Sequence, residues 1–131
     1  CLNLMKEKIV YSKAGHLDQY LLSKRKKEII RLACPGRIIG FTNDFDYEKR
    51  EEPVETGDVI LLFTDGIFEN WYIETDKSEE QLLVNFLREQ ISHDLLDCST
   101  SEISTRIYSY INKFQHNIQR DDITLICLKK T

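Results

Sequence analysis

At 131 residues, 41% hydrophobic and 31% charged, the chain can bury one core and is too apolar to stay disordered. Its formal net charge of −4 excludes the broad positive field of a nucleic-acid binder, so no nucleic acid is expected among its partners. No run approaches the ~18 consecutive apolar residues of a membrane span and none has the form of a signal peptide, so no membrane segment and a cytoplasmic location are expected.

In chain order, Lys8-Ile9-Val10-Tyr11-Ser12-Lys13-Ala14 has the character of a strand, ended by Gly15. Tyr20 to Ser23 and Glu28 to Leu32 form a hairpin pattern across Lys24-Arg25-Lys26-Lys27, whose charge suits a solvated tip. Cys34-Pro35-Gly36-Arg37 predicts a turn, because proline fixes one dihedral and glycine frees the next. The acidic stretch from Asn43 to Glu55 is irregular or edge-like. Val59-Ile60-Leu61-Leu62-Phe63 is then a buried strand that ends on Thr64-Asp65-Gly66. Cys1, Cys34, Cys98 and Cys127 lie far apart with no C-x-x-C pair, which favours reduced, mostly buried thiols over zinc or disulfides.

Two amphipathic helices follow, expected over Ser78 to about Ile91 and Ser101 to about Phe114. Leu82, Leu83, Phe86, Leu87 and Ile91 recur at spacings of three and four after Ser78-Glu79-Glu80-Gln81, a capping-box sequence. Ile103, Ile107, Ile111 and Phe114 repeat the pattern after Ser99-Thr100-Ser101-Glu102. Ile123 to Leu128 is the last strand, introduced by Arg120-Asp121-Asp122. Together these elements predict a single α+β domain over residues 1–131, an antiparallel sheet core with both helices on one side.

Asp65 ends one expected strand, and Asp121 and Asp122 begin another. If those strands are antiparallel neighbours, the carboxylates reach one sheet edge. Their repulsion would then be offset by a hard divalent cation such as Mg²⁺ or Mn²⁺, which prefers oxygen ligands. Taken alone, Asp-Gly and Asp-Asp are also ordinary turn formers, so each motif has a plain structural reading beside the chemical one.

The combination resembles a family: the PPM-type metal-dependent protein serine/threonine phosphatases, in their bacterial SpoIIE/RsbU branch. Four blocks match in the family's order: Ala14-Gly15-His16, Ile39-Gly40-Phe41, Gly57 to Glu69, and Asp121-Asp122-Ile123-Thr124. The third is long and fairly specific. The resemblance implies part of an α/β/β/α sandwich, with Asp65 and Asp121 as metal ligands and a metal-activated water attacking a phosphoserine or phosphothreonine. It also implies Gly66 turning the backbone close to the metal, and Asp122 and Thr124 bracing the strand end. A phosphoprotein in a signalling switch, such as an anti-sigma-factor antagonist, would be the substrate.

His16 has two readings, orienting a water or substrate oxygen beside the site, or serving a turn. Glu69 suits a surface or supporting position, and His93 and His116 are expected in solvent. The family domain is longer. Its upstream part supplies the Asp that bridges two metals, and the Leu17-Asp18-Gln19 loop stands where the family commonly has prolines. The chain is therefore expected to be the C-terminal portion of such a domain, inactive alone and open to self-association through uncovered apolar faces. The alternative is a non-catalytic regulatory or protein-interaction module that retains the phosphatase fold.

Overall fold

The computed structural model describes residues 2–4, 7–41, 43–69, 71, 76, 78–114 and 122–131. Among the described residues, seven strands form two antiparallel sheets. The first holds β1 (Leu2–Leu4), β2 (Lys8–Tyr11) and β5 (Arg50–Pro53) in the order β1-β2-β5. The second holds β3 (Gln19–Ser23), β4 (Glu28–Leu32), β6 (Val59–Phe63) and β7 (Leu125–Lys129) in the order β4-β3-β6-β7. The helices are α1 (Gly66–Glu69), α2 (Glu79–Ser92) and α3 (Thr100–Asn112), with a 3₁₀ turn at Leu95–Asp97.

Strand alternation sorts the second sheet's side chains into two cores. Tyr20 and Leu22 of β3 and Val59, Leu61 and Phe63 of β6 face the helices, where they meet Leu83, Leu87 and Ile91 of α2 and Ile103, Ile107 and Ile111 of α3. Leu21, Leu32 and Ile60 face the other way and pack with Ile9, Tyr11, Cys34 and Val54 between the sheets. The layers run helices, sheet, sheet. The expected α+β architecture, antiparallel with two helices on one side, is what the chain adopts.

Ser78 caps α2 in a complete capping box with Gln81. Ser99 caps α3 by accepting from the Glu102 N–H, while the Glu102 carboxylate pairs with Arg106 instead of closing a box. A cap contributes about 1 kcal/mol, whereas each fully buried Leu or Ile side chain contributes about 1.5–3 kcal/mol. Packing of the two apolar stripes therefore dominates, and the caps mainly fix where the helices begin. α3 starts at Thr100 and ends at Asn112, slightly earlier than its expected span.

The expected hairpin β3–β4 forms across an exposed basic tip, with Tyr20 opposite Arg31 and Ser23 opposite Glu28. β2 stops at Tyr11 because its partner strand reaches no further than Arg50. Part of the acidic stretch does become a strand. β5 lies at a sheet edge, where Pro53 costs no ladder bond.

Central strand β6 is apolar on both faces, so polar groups at its ends hold its register. At the N-terminal end Asp58, only 3% exposed, accepts from the backbone N–H of Lys24 and of Glu55, both at 2.8 Å. Backbone bonds from Gly57 N–H to the Lys130 carbonyl and from Lys130 N–H to the Asp58 carbonyl tie in the end of β7.

One expectation fails instructively. Cys34 to Arg37 is irregular but not a turn; the chain turns later, where the Phe41 N–H reaches the Ile38 carbonyl and Gly40 has φ 86°. Gly36 serves a close approach: a Cβ there would lie 1.7 Å from the Lys13 carbonyl oxygen. That neighbour is backbone and cannot swing aside. Gly36→Ala should therefore cost about 1–3 kcal/mol or more, as overpacking does, read as a lowered urea midpoint at unchanged slope.

Candidate metal and phosphoryl site

β6 delivers Asp65 to the sheet edge, and two side chains fasten that edge. Gln19, at the start of β3, brackets Phe63: its Oε1 accepts from the Phe63 N–H at 2.6 Å, and its Nε2 donates to the Phe63 carbonyl at 3.2 Å. Thr64 holds the next strand. Its hydroxyl donates to the Asp122 carbonyl at 3.1 Å and accepts from the Thr124 N–H at 3.0 Å, while the Thr64 N–H bonds the Thr124 carbonyl at 3.1 Å. β6 and β7 are antiparallel neighbours, with Phe63 opposite Leu125. The end of one and the beginning of the other therefore meet as the spacing requires.

Asp65 is exposed, and its carbonyl accepts from the N–H groups of Phe68 and Glu69 in the first turn of α1. Gly66 is buried and opens α1 without a positive φ. Asp122 and Thr124 take part in the fastening through their backbone groups. Asp121 and His116 lie outside the described residues. His93 is exposed at the C-terminus of α2, and Glu69 is exposed.

Two cavities flank Thr64 and Asp65. One, of about 420 Å³, is lined by His16 together with Gln19, Leu62, Thr64, Thr124 and Ile126. The other, of about 430 Å³, is lined by Asp65 and Glu69 together with Lys13, Asp18, Arg31 and Glu80. His16, which is exposed, thus sits on the Thr64–Thr124 side, whereas Asp65 opens onto the acidic side.

Within the second cavity the charges are largely paired. Asp18, whose side chain is 9% exposed, takes both Lys13 and Arg31, the latter at 2.7 Å. Arg31 also approaches Glu80 at 3.6 Å, and Glu80 accepts from the Tyr20 hydroxyl at 2.6 Å. Asp18 is therefore a structural counter-ion that ties the loop before β3 to β4. Burial first, then the hydrogen bond to Glu80, hold the Tyr20 hydroxyl well above its ordinary pKa of 10.0.

The donor chemistry at the edge suits a hard divalent cation. Asp65 offers carboxylate oxygens toward solvent and has no ion pair among the described residues. No group of three His, Cys, Asp or Glu side chains among the described residues could enclose a metal. Gln19 and Thr64 were not singled out by the sequence reading. Their partners lie 44 and about 60 positions away, and no local pattern marks such contacts.

The family model for Stage II sporulation protein E (SpoIIE) matches residues 1–131. The chain belongs to the SpoIIE family. Phosphoserine phosphatase RsbU of Bacillus subtilis (strain 168) is 28% identical over 128 residues, covering 98% of this chain and 36% of RsbU. The SiaA-PP2C domain of Pseudomonas aeruginosa superposes with a TM-score of 0.72 at 23% identity, over 96% of this chain and 48% of that one. The Mn-presoaked phosphatase domain of the cell fate determinant SpoIIE from Bacillus subtilis gives 0.67 at 18% identity, over 99% of this chain and 54% of that one. The chain thus spans about a third of RsbU and about half of each solved SpoIIE-type chain named here. The fold shared with these PP2C domains and the family match make this a SpoIIE/RsbU-type phosphatase domain sequence, with no helix among the described residues long and apolar enough to cross a membrane.

Two measurements check the geometry of this edge. Thr64→Val removes both hydroxyl bonds and should cost about 0.5–1.5 kcal/mol, with hydrogen exchange at the Thr124 N–H accelerated more than at the hairpin β3–β4. Tyr20 is stabilising in its protonated form, so its contribution is complete below the ordinary 10.0 and declines as pH rises through the raised folded value. Unfolding free energy should therefore fall above about pH 10, and less steeply in Tyr20→Phe, followed by denaturant titration at a series of alkaline pH values.

Proposed function

We propose that this chain is the C-terminal portion of a divalent-metal-dependent protein phosphatase domain that hydrolyses phosphoserine or phosphothreonine on a signalling phosphoprotein, the expected class being an anti-sigma-factor antagonist. The observation that carries the reading is the Thr64 fastening, which joins the strand end bearing Asp65 to the strand start at Asp122. That arrangement supports Asp65 and Asp121 as ligands of one Mg²⁺ or Mn²⁺. A bound divalent ion would supply an acidified water near neutral pH and offset charge on the phosphoryl oxygens.

The remaining roles belong to the protein. Asp65 and Asp121 orient and hold; Thr64 and Gln19 keep Asp65 from drifting with its loop. Gly66 lets the backbone turn close to the bound ion, and the backbones of Asp122 and Thr124 brace the strand start. His16 lines the neighbouring cavity, where it can orient a substrate oxygen or a water. Two carboxylates leave most of an octahedral shell to water, so affinity in this chain alone should be weak. Phosphoryl transfer depends heavily on positioning, and the isolated chain should hydrolyse little or nothing.

The test uses a small aryl phosphate with Mn²⁺ or Mg²⁺. The 131-residue chain should show negligible turnover, and a longer chain including the upstream half of the phosphatase domain should be active. In the longer chain Asp65→Asn and Asp121→Asn should each abolish turnover with the circular dichroism spectrum unchanged. Robust metal-dependent hydrolysis by the short chain would overturn the division of ligands, and an inactive longer chain would favour a non-catalytic interaction module instead.

A further inference from the structure

Among the described residues the two sheets have four edge strands, and three of them are guarded. β1 is only three residues long, β5 exposes Arg50 and Glu51 and ends in Pro53, and β4 exposes Glu28 and Arg31. Short length, charge and proline are the ordinary means by which an edge strand avoids pairing with another chain. The fourth edge strand, β7, runs Leu125–Lys129 in unbroken register with β6 and contains no proline.

The lysines at its end do not guard it. Lys129 donates from Nζ to the Leu96 and Cys98 carbonyls at 2.9 and 2.8 Å, and Lys130 donates from Nζ to the Val54 carbonyl at 2.9 Å. Both charges are drawn back onto the chain's own backbone. One face of β7 is covered, because Leu125 and Cys127 pack against the core under the helices. The other face is bare. Ile126 and Leu128 are 46% and 39% exposed, and neither joins the core between the sheets, although Ile60, opposite Leu128, does.

The backbone of β7 presents a matching edge. The Thr64 N–H reaches the Thr124 carbonyl and the Lys130 N–H reaches the Asp58 carbonyl, so these even-numbered residues of the last segment bond toward β6. Alternation then turns the N–H and C=O groups of Leu125, Cys127 and Lys129 outward. The strand is self-complementary about its middle residue. In an antiparallel pair centred on Cys127, Leu125 of one copy lies opposite Lys129 of the other, and Ile126 lies opposite Leu128. The bare apolar side chains of each copy then cover those of its partner.

We propose that the outer edge of β7 is a self-association surface, on which a second copy of this chain adds its own β7 antiparallel about Cys127, with Ile126 packed against Leu128 across the joint. The surface is separate from the proposed metal ligands and does not depend on them. Each copy uses one edge on the same surface of its partner, so the association closes at a dimer.

The experiment follows the 131-residue chain by sedimentation velocity from micromolar to millimolar concentration, with Tm recorded for every variant and amide hydrogen exchange read by NMR at both ends of the range. The parent should pass from monomer to dimer. Exchange at the Leu125, Cys127 and Lys129 N–H groups should slow about tenfold or more as it does so, beyond any change in the hairpin β3–β4. Ile126→Lys and Leu128→Lys, each at a half-exposed position, should weaken dimerisation about tenfold or more with little change in Tm. Ile126→Lys combined with Leu128→Glu places opposite charges across the joint and should restore it. Phe41→Ser, at the 81% exposed tip of the Ile38 to Phe41 turn, should dimerise like the parent. A parent that stays monomeric throughout overturns the proposal, as does a dimer in which the three N–H groups exchange no more slowly than in the monomer. Loss of the dimer in Phe41→Ser but not in Ile126→Lys overturns it in favour of the turn. A double variant that remains monomeric overturns the pairing about Cys127.

Discussion

The register of β6 is the constraint on which the rest of the structure depends. A strand with one polar face resists slipping because a one-residue shift would expose its apolar side. Val59 to Phe63 is apolar on both faces and lacks that safeguard. Its register is set by polar contacts at its two ends instead. Asp58 is clamped by the N–H groups of Lys24 and Glu55 at one end, and Gln19 and Thr64 grip Phe63, Asp122 and Thr124 at the other. A shift of one residue would break both ends together and would carry Asp65 about 3.3 Å along the sheet edge, out of its relation to the start of β7.

The same strand divides the labour between the cores. Its odd-numbered side chains anchor α2 and α3, while Ile60 joins the layer between the sheets. The carboxylate at its tip is therefore mounted on the most constrained part of the molecule, although the carboxylate itself faces water. Rigid backing with an open front is what a binding edge needs. It also explains why the burial of Asp58 is tolerated: its charge is spread over two backbone donors at 2.8 Å, not left unpaired in the core.

The periodic features were legible in the sequence. The stripes on α2 and α3, the hairpin across the basic tip and the two-faced strand all declare themselves through local spacing, as did the family through its ordered motifs. Gly36 did not, because a glycine beside proline looks like a turn whether it supplies a dihedral or makes room for the Lys13 carbonyl. Gln19, Thr64 and Asp58 were missed as fasteners for a related reason: each is an ordinary polar residue whose meaning lies in a backbone group far along the chain. β1 is too short to register as a strand before its pairing with β2 is known, and the acidic stretch holding β5 reads no more firmly than irregular or edge-like.

The pairing of β6 with β7 also has a consequence in time. These neighbours are separated by both long helices, so their contact closes a loop of about sixty residues, the kind of distant pairing that slows folding. During synthesis, β3, β4, β6 and both helices are made before Leu125 exists. For that interval Thr64 has no partner strand and the far flank of β6 is open to strangers. Only the arrival of β7 completes the edge, so this part of the fold stays unfinished until both helices have been made.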